Sequence, residues 1–299
     1  MAIRRQHVIS QTILKRWTVD GVLAAIDLRN GRVSSKSTRA TGFVPWFVQA
    51  DYSESIERMW RETEDRIPDL IAAVEAGTAF DSDNAIDGLR QIVAVHVVRS
   101  KQMAEMWARS YTQQTATGRI ANIRGALTDP GVRRALYERE TGIAVIGEVP
   151  AALVADPYIE RIERISGPGG LWFVDNALAS HAKLVNTLRS QSVQIGHHVA
   201  GGLIIGDNPA TTYDPGRELI SILGGANLTQ SIIVMPITPN YMISFGKTSG
   251  YIELSDAHAQ LFNNIQYVSS MDWIYTVPRS PDLPLIAAAV RADPNLQRQ

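Results

Sequence analysis

The chain predicts an α+β fold, with its N- and C-terminal strands in one mostly antiparallel sheet and a helical middle section, and three observations predict it. Asn30-Gly31 lies between two strand-like runs, Val22–Leu28 and Arg32–Thr38, and Asn-Gly in that setting is the strongest short hairpin signal a sequence offers. From about residue 52 to 195 the apolar residues recur at helical spacing. After that the period shortens again, at 198–205, 230–237, 241–246 and Asp272–Val277. Strands followed by helices followed by strands argue against a doubly wound parallel sheet, which needs the two to alternate.

Taken in order, Val8, Ile9, Ile13, Leu14 and Trp17 have near-helical spacing, so residues 7–17 read as a short amphipathic helix or extended lead-in integral to the core. A third strand is expected at Phe43–Gln49. The stripe Ile56, Trp60, Ile67, Leu70, Ile71 and Val74 predicts a helix from Tyr52 to about Gly77, with a kink or break at Pro68. Asp83 or Asn84 can cap the next helix, whose stripe runs through Leu89, Ile92, Val93, His96, Met103 and Trp107 and predicts one long element. Shorter helical pieces follow at about 111–127, 131–140 and 151–165, and Ser166-Gly167-Pro168-Gly169-Gly170 is the best internal break. Leu171–Val193 returns to helix. Leu203–Ile205 reads as a buried strand stopped at Gly206-Asp207-Asn208-Pro209, a turn that fixes a carboxylate at a strand end. Ser255 caps a short helix to about Tyr267. Residues 1–279 are expected to form a single α+β domain, and 280–299, with three prolines, a loosely attached tail.

Twenty-nine basic and 30 acidic residues nearly cancel, so no global field favours nucleic acid or an anionic membrane. The first 39 residues depart from this balance, with Arg4, Arg5, Lys15, Arg16, Arg29, Arg32, Lys36 and Arg39 against Asp20 and Asp27. Such an excess suits phosphate, or simply the acidic helix that follows, and the partners it leaves in view are a nucleic acid or a protein. The absence of cysteine removes disulfides, thiolate metal sites and cysteine nucleophiles, and fits a reducing compartment. With no apolar signal-peptide core at the N-terminus and no run long enough for a bilayer, a cytoplasmic location is expected.

No phosphate-binding G-x-x-x-x-G-K-[ST], zinc-binding H-E-x-x-H or nucleophile-elbow G-x-S-x-G is present. Chemistry must come from scattered residues. His7 sits among Arg4, Arg5 and Gln6, whose charges favour its neutral, proton-accepting form. Glu57 and Glu64, seven apart, share one helical face, where they could bind a divalent cation or act as acid and base; the plainer alternative pairs Glu57 with Arg61 and solvates Glu64. Arg99 borders an apolar stripe three residues after His96, placed to reach a carboxylate or a phosphate. His96 and His181 read as core residues, His197 and His198 point to opposite faces of a strand, and His258 is expected to be exposed.

The segment Gln6-His7-Val8 with Leu14, Arg16 and Trp17, the Asn30-Gly31 hairpin, the Ser55–Glu64 helix, Val97-Val98-Arg99-Ser100, Gly206-Asp207-Asn208-Pro209-Ala210 and Pro236-Ile237-Thr238-Pro239 resemble a bacterial family of domains of unknown function. Its members open H-x-V-P-x-x-x-L-x-x-[FW] and carry [ST]-D-N-P-[VA] and P-[LI]-[ST]-P near the C-terminus. Here Ile9 stands where the family has proline, His96 where it usually has glutamine, and Gly206 where it has a hydroxyl residue. The resemblance implies a fold and candidate positions, and no reaction.

Two functional readings follow. In the first, the chain is a metal-assisted hydrolase acting on phosphodiesters or a nucleic acid: His7 is the base, Glu64 and Asp207 hold a divalent cation, Arg99 steadies developing charge, and Asn208 stands beside them. In the second, the same residues form a structural polar network in a non-catalytic ligand- or protein-binding domain, with Trp46, Trp172 or Tyr213 as candidate surface anchors. Both require His7, Arg99 and Asp207 to converge, with Glu64 or Asp207 in salt-bridge reach of Arg99.

Overall fold

The computed structural model describes residues 5–45, 47–48, 53–111, 121–154, 157, 159–160, 171–214, 219–221 and 232–292. Trp46, the Ser166–Gly170 break and residues 293–299 lie outside them, as does the side chain of Trp172.

The Asn30-Gly31 turn joins β2 (Val22–Asp27) to β3 (Val33–Ser37), in the register Ile26 opposite Val33. Gly31 adopts φ +66°, and a β-carbon there would lie 2.5 Å from Arg291 Cγ, so glycine serves both the turn and the close approach of a C-terminal helix. β1 (Arg5–His7) pairs antiparallel with β4 (Phe43–Pro45), the part of the expected third strand that forms. Between them α1 (Gln11–Leu14), capped by Ser10, buries Ile13 and Leu14, while Trp17 is fully enclosed and donates its indole N–H to Leu203 O at 2.8 Å. The described N-terminal segment is therefore core, tied to a residue 186 positions along the chain.

The helix expected to kink at Pro68 is two helices, α2 (Ser53–Glu64) and α3 (Ile67–Glu75), with the proline in the first turn of the second, where its missing N–H has no helical partner to lose. The expected long helix is also two: α4 (Asp83–Val98) and α5 (Lys101–Tyr111). Ser100 makes the break, its hydroxyl accepting from Met103 N–H as a cap for α5. α6 (Ala121–Ala126), α7 (Pro130–Thr141) and α8 (Leu171–Arg189) complete the middle section, and α4 packs against α8.

C-terminal strands join the N-terminal hairpin in a four-stranded antiparallel sheet of order β3-β2-β12-β6, where β6 is Ile205–Gly206 and β12 is Trp273–Thr276. A six-stranded sheet built from C-terminal strands accompanies it, with β5 (Ser192–His197) between β11 (Gly250–Glu253), its parallel neighbour, and β10 (Tyr241–Gly246); β9 (Ile232–Pro236), β7 (Thr211–Asp214) and β8 (Leu219–Ser221) follow. One contiguous cluster of buried apolar residues runs from Val8 through α2, α3, α4 and α8 to Phe245 and Tyr275.

Two expectations are corrected. Leu203 and Ile204 are buried but are not strand: Gly201 and Gly202 take φ +73° and +89°, and the next amides donate to Pro239 O and to the side chain of Asn263 instead of to a ladder. Burial of an apolar run therefore does not by itself make a strand. Residues 283–292, expected in a loose tail, form α10, with Ala287 and Val290 packed against Ile26, Leu28 and Ile274. The spacing of Ile286, Ala287 and Val290 is helical, Pro281 precedes the element and Pro284 lies in its first turn.

Candidate functional site

The polar residues singled out by sequence fall into two networks, one on each side of the break between α4 and α5. In the first, β1 turns Gln6 inward, 2% exposed, where its amide N–H donates to Glu57 Oε1 at 2.9 Å and its oxygen accepts from Val48 N–H. Burial holds the Glu57 carboxyl above the usual carboxylate range, although the Gln6 hydrogen bond and Arg99 pull the other way. Glu57 thus meets Gln6 rather than making the expected Arg61 pair. Glu64 pairs with Arg99 at 2.7 Å, so it is not simply solvated.

Arg99 is 2% exposed, caps the end of α4, and lies with its guanidinium carbon 5.4 Å from the Trp60 ring centre. Its Nη2 donates to His96 Nε2 at 3.3 Å. His96 Nδ1–H donates to Ile92 O at 2.8 Å, leaving Nε2 to accept also from Ser10 N–H at 3.2 Å. Complete burial pushes the His96 imidazole down to about 3, with the neighbouring Arg99 charge acting in the same direction. His96 is a neutral joint between the N-terminal segment and α4. His7 lies at its margin, its Nε2 2.7 Å from Gln11 Nε2 and its ring edge-on to Phe43.

The second network is built on the turn after β6. Asp207 Oδ1 accepts from Met271 N–H at 2.7 Å, and Oδ2 accepts from Asp272 and Trp273 N–H at 2.7 and 3.2 Å. Burial pushes this carboxyl up to about 6 against the three N–H groups that favour its charge. Asn208 donates to Gln102 Oε1 at 3.1 Å and to Ser269 O at 3.4 Å, and Lys101 pairs with Asp272 at 2.6 Å. Gly206 is required here: a β-carbon at that position would lie 1.8 Å from Ser270 Oγ, so this chain puts its hydroxyl on residue 270 where a side chain at 206 has no room.

Residues 5–145 match the family model DUF4238, a protein of unknown function. The span covers the N-terminal segment, the hairpin and the whole Gln6–Glu57–Glu64–His96–Arg99 network, while Asp207, Asn208 and the Pro236–Pro239 turn lie beyond it. No curated protein and no solved structure matches the chain.

Of the sequence candidates, Arg99 and Glu64 are brought together as expected. Asp207 and Asn208 are not joined to them: among the described residues no ion pair or hydrogen bond links Asp207 to Arg99, and Asp207 is engaged by backbone amides. Glu64 and Asp207 thus belong to separate hydrogen-bond networks among the described residues. Among the described residues no three His, Cys, Asp or Glu side chains are grouped to hold a metal ion. Sequence reasoning gave Gln6 no role of its own and did not single out Gln102, and it read His96 as core although its spacing of three from Arg99 places both on one face. It placed His197 and His198 apart correctly: His197 stacks on Tyr241 at 4.4 Å, and His198 turns to Asp256.

No helix is long and apolar enough to cross a membrane among the described residues.

Proposed function

We propose that the chain is a non-catalytic ligand-binding domain and that the residues resembling an active site are structural ties within it. The observation that carries this reading is that the lone pairs and charges the chemistry would need are engaged inside the fold, although Arg99 Nε and Asn208 Oδ1 are buried without a hydrogen-bond partner among the described residues. Arg99 is spent on Glu64 and His96, His96 on Ser10 and Ile92, and both oxygens of Asp207 on three backbone N–H groups. A general base needs a free lone pair facing substrate, and a metal ligand needs one facing a cation. The hydrolytic reading asks Glu64 and Asp207 to share one ion, which their separate networks do not favour. The N-terminal basic excess is also partly consumed internally: Arg16 lies 3.6 Å from Glu75, Arg29 pairs with Asp27 at 2.8 Å, and Lys36 Nζ lies 3.3 Å from the Trp273 ring centre. Any nucleic-acid binding should then be weak and fade quickly with salt.

The test is to compare Asp207→Asn and Glu64→Gln with the parent in two assays, thermal unfolding and hydrolysis of a bis-nitrophenyl phosphodiester with magnesium or manganese. Structural ties predict lowered unfolding temperatures and no metal-dependent turnover in the parent protein. Turnover by the parent that Asp207→Asn removes while the unfolding temperature holds would overturn the reading.

A further inference from the structure

A cavity of about 520 Å³, lined by none of the residues of either network, lies between the His198–Gly202 loop, α9 (Asp256–Ser269) and α10. That volume suits a small organic ligand. Its walls follow from helix periodicity: Asp256, Gln260 and Asn264 fall at i, i+4 and i+8 on α9, and Leu285, Ile286 and Ala289 face them from α10. One wall is polar and the other chiefly apolar. Asp256 and Asp282 both stand at the loop end, and among the described residues no lysine or arginine lines the cavity.

The two carboxylates are not occupied as helix caps. Ser255 caps α9, its hydroxyl accepting from His258 N–H, which leaves Asp256 to accept from His198 Nε2 at 3.0 Å. His198 is 9% exposed and is held from the other side by Gly201 O, so one oxygen of Asp256 is committed. Asp282 makes no side-chain hydrogen bond or ion pair among the described residues, and its Oδ2 would lie 3.6 Å from a β-carbon on Gly202, beside the loop. The loop itself is rigid in construction. Asn240 donates to His198 O and Val199 O, and Asn263 bonds both Gly202 O and Ile204 N–H.

We propose that this cavity binds a small alkylammonium compound, with the cationic head between Asp282 and Asp256, the stem along Leu285 and Ile286, and a polar far end on Gln260 and Asn264. The charge of the head answers two carboxylates, and among the described lining residues the competing basic side chain is His198, which is bonded to Asp256 and leaves Asp282 free. An apolar stem next to a charged head matches the division of the walls. Asp282 is the stronger anchor because Asp256 is shared with His198. The proposal rests on the binding reading above, and its test is independent of it, since phosphodiester turnover would defeat that reading without altering this titration.

The experiment is calorimetric titration of the full chain with ε-aminocaproamide, and with caproamide as the uncharged control. The amine should bind and the control should not. Asp282→Asn should weaken binding by about tenfold or more, which corresponds to about 1.4 kcal/mol, and Asp256→Asn by less. Leu285→Lys, at a position 70% exposed and so safe for folding, should abolish binding by placing its own ammonium in the cavity. Equal binding of amine and control, no binding of either, or full affinity in both Asp282→Asn and Leu285→Lys would overturn the proposal.

Discussion

Replacing His96 with glutamine should make the protein less sensitive to acid. In an unfolded chain histidine titrates near its ordinary 6.5, whereas buried His96 is held down to about 3. Between these values the unfolded state binds a proton that the folded state refuses. This group therefore costs nothing above about pH 6.5 and removes stability progressively as pH falls toward 3, at about 1.4 kcal/mol per pH unit. The loss amounts to about 2 kcal/mol at about pH 5 and about 5 kcal/mol when complete. Glutamine does not titrate, and its amide oxygen can accept from Ser10 N–H as His96 Nε2 does. The bond to Ile92 O is then forfeited, a cost of about 1 kcal/mol at neutral pH. Asp207 acts in the opposite sense. Its carboxyl, raised to about 6, takes up a proton in the folded state first, so its contribution grows as pH falls from about 6 toward 3.8. Because both proteins carry Asp207, subtracting one stability curve from the other cancels it. Urea unfolding of the two proteins at neutral pH and at about pH 5 measures the difference: His96→Gln should start slightly less stable and gain about 2 kcal/mol on the parent. Stability curves that fall in parallel would refute the account of His96 as a buried neutral joint.

Glu64→Ala leaves Arg99 buried without its carboxylate and should cost about 2–3 kcal/mol in denaturant unfolding, toward the low end for a buried pair because Glu64 is 31% exposed; a loss under about 0.5 kcal/mol would mean the pair contributes little. Gly206→Ser should destabilise by about 1–3 kcal/mol through overpacking against Ser270, and Ser270→Gly in the same chain should restore most of it. If the double variant is no better than the single one, the clash is not the cause. Tyr275→Phe removes the hydroxyl that accepts from Gly42 N–H at 3.1 Å and should cost about 1–2 kcal/mol in thermal or chemical unfolding, with an unchanged value arguing that the amide finds another acceptor.

The sequence by itself determined the elements whose signal is local. Asn30-Gly31 specified a hairpin because few residues tolerate its backbone, Pro68 marked the α2–α3 break because it cannot donate inside a helix, and Ser255 began α9 because a hydroxyl satisfies the first amides. It also located Arg99 on a core border, and a buried guanidinium must find a carboxylate, which is why Glu64 could be named beside it. Tertiary structure decided the rest. Leu203 and Ile204 are apolar enough for a strand, yet two glycines and the Asn263 side chain took over their backbone. Asp207 was legible as a fixed carboxylate, but its partners are amides of residues 271–273, and backbone amides carry no side-chain signature in a sequence. The pairing of His198 with Asp256 depends on α9 lying beside the end of β5, and the cavity beside Asp282 on α10, which returns to the hairpin where Arg291 donates to Gly31 O. Local conformational preference is encoded in neighbouring residues, whereas which polar group satisfies which is settled only when the core closes around them.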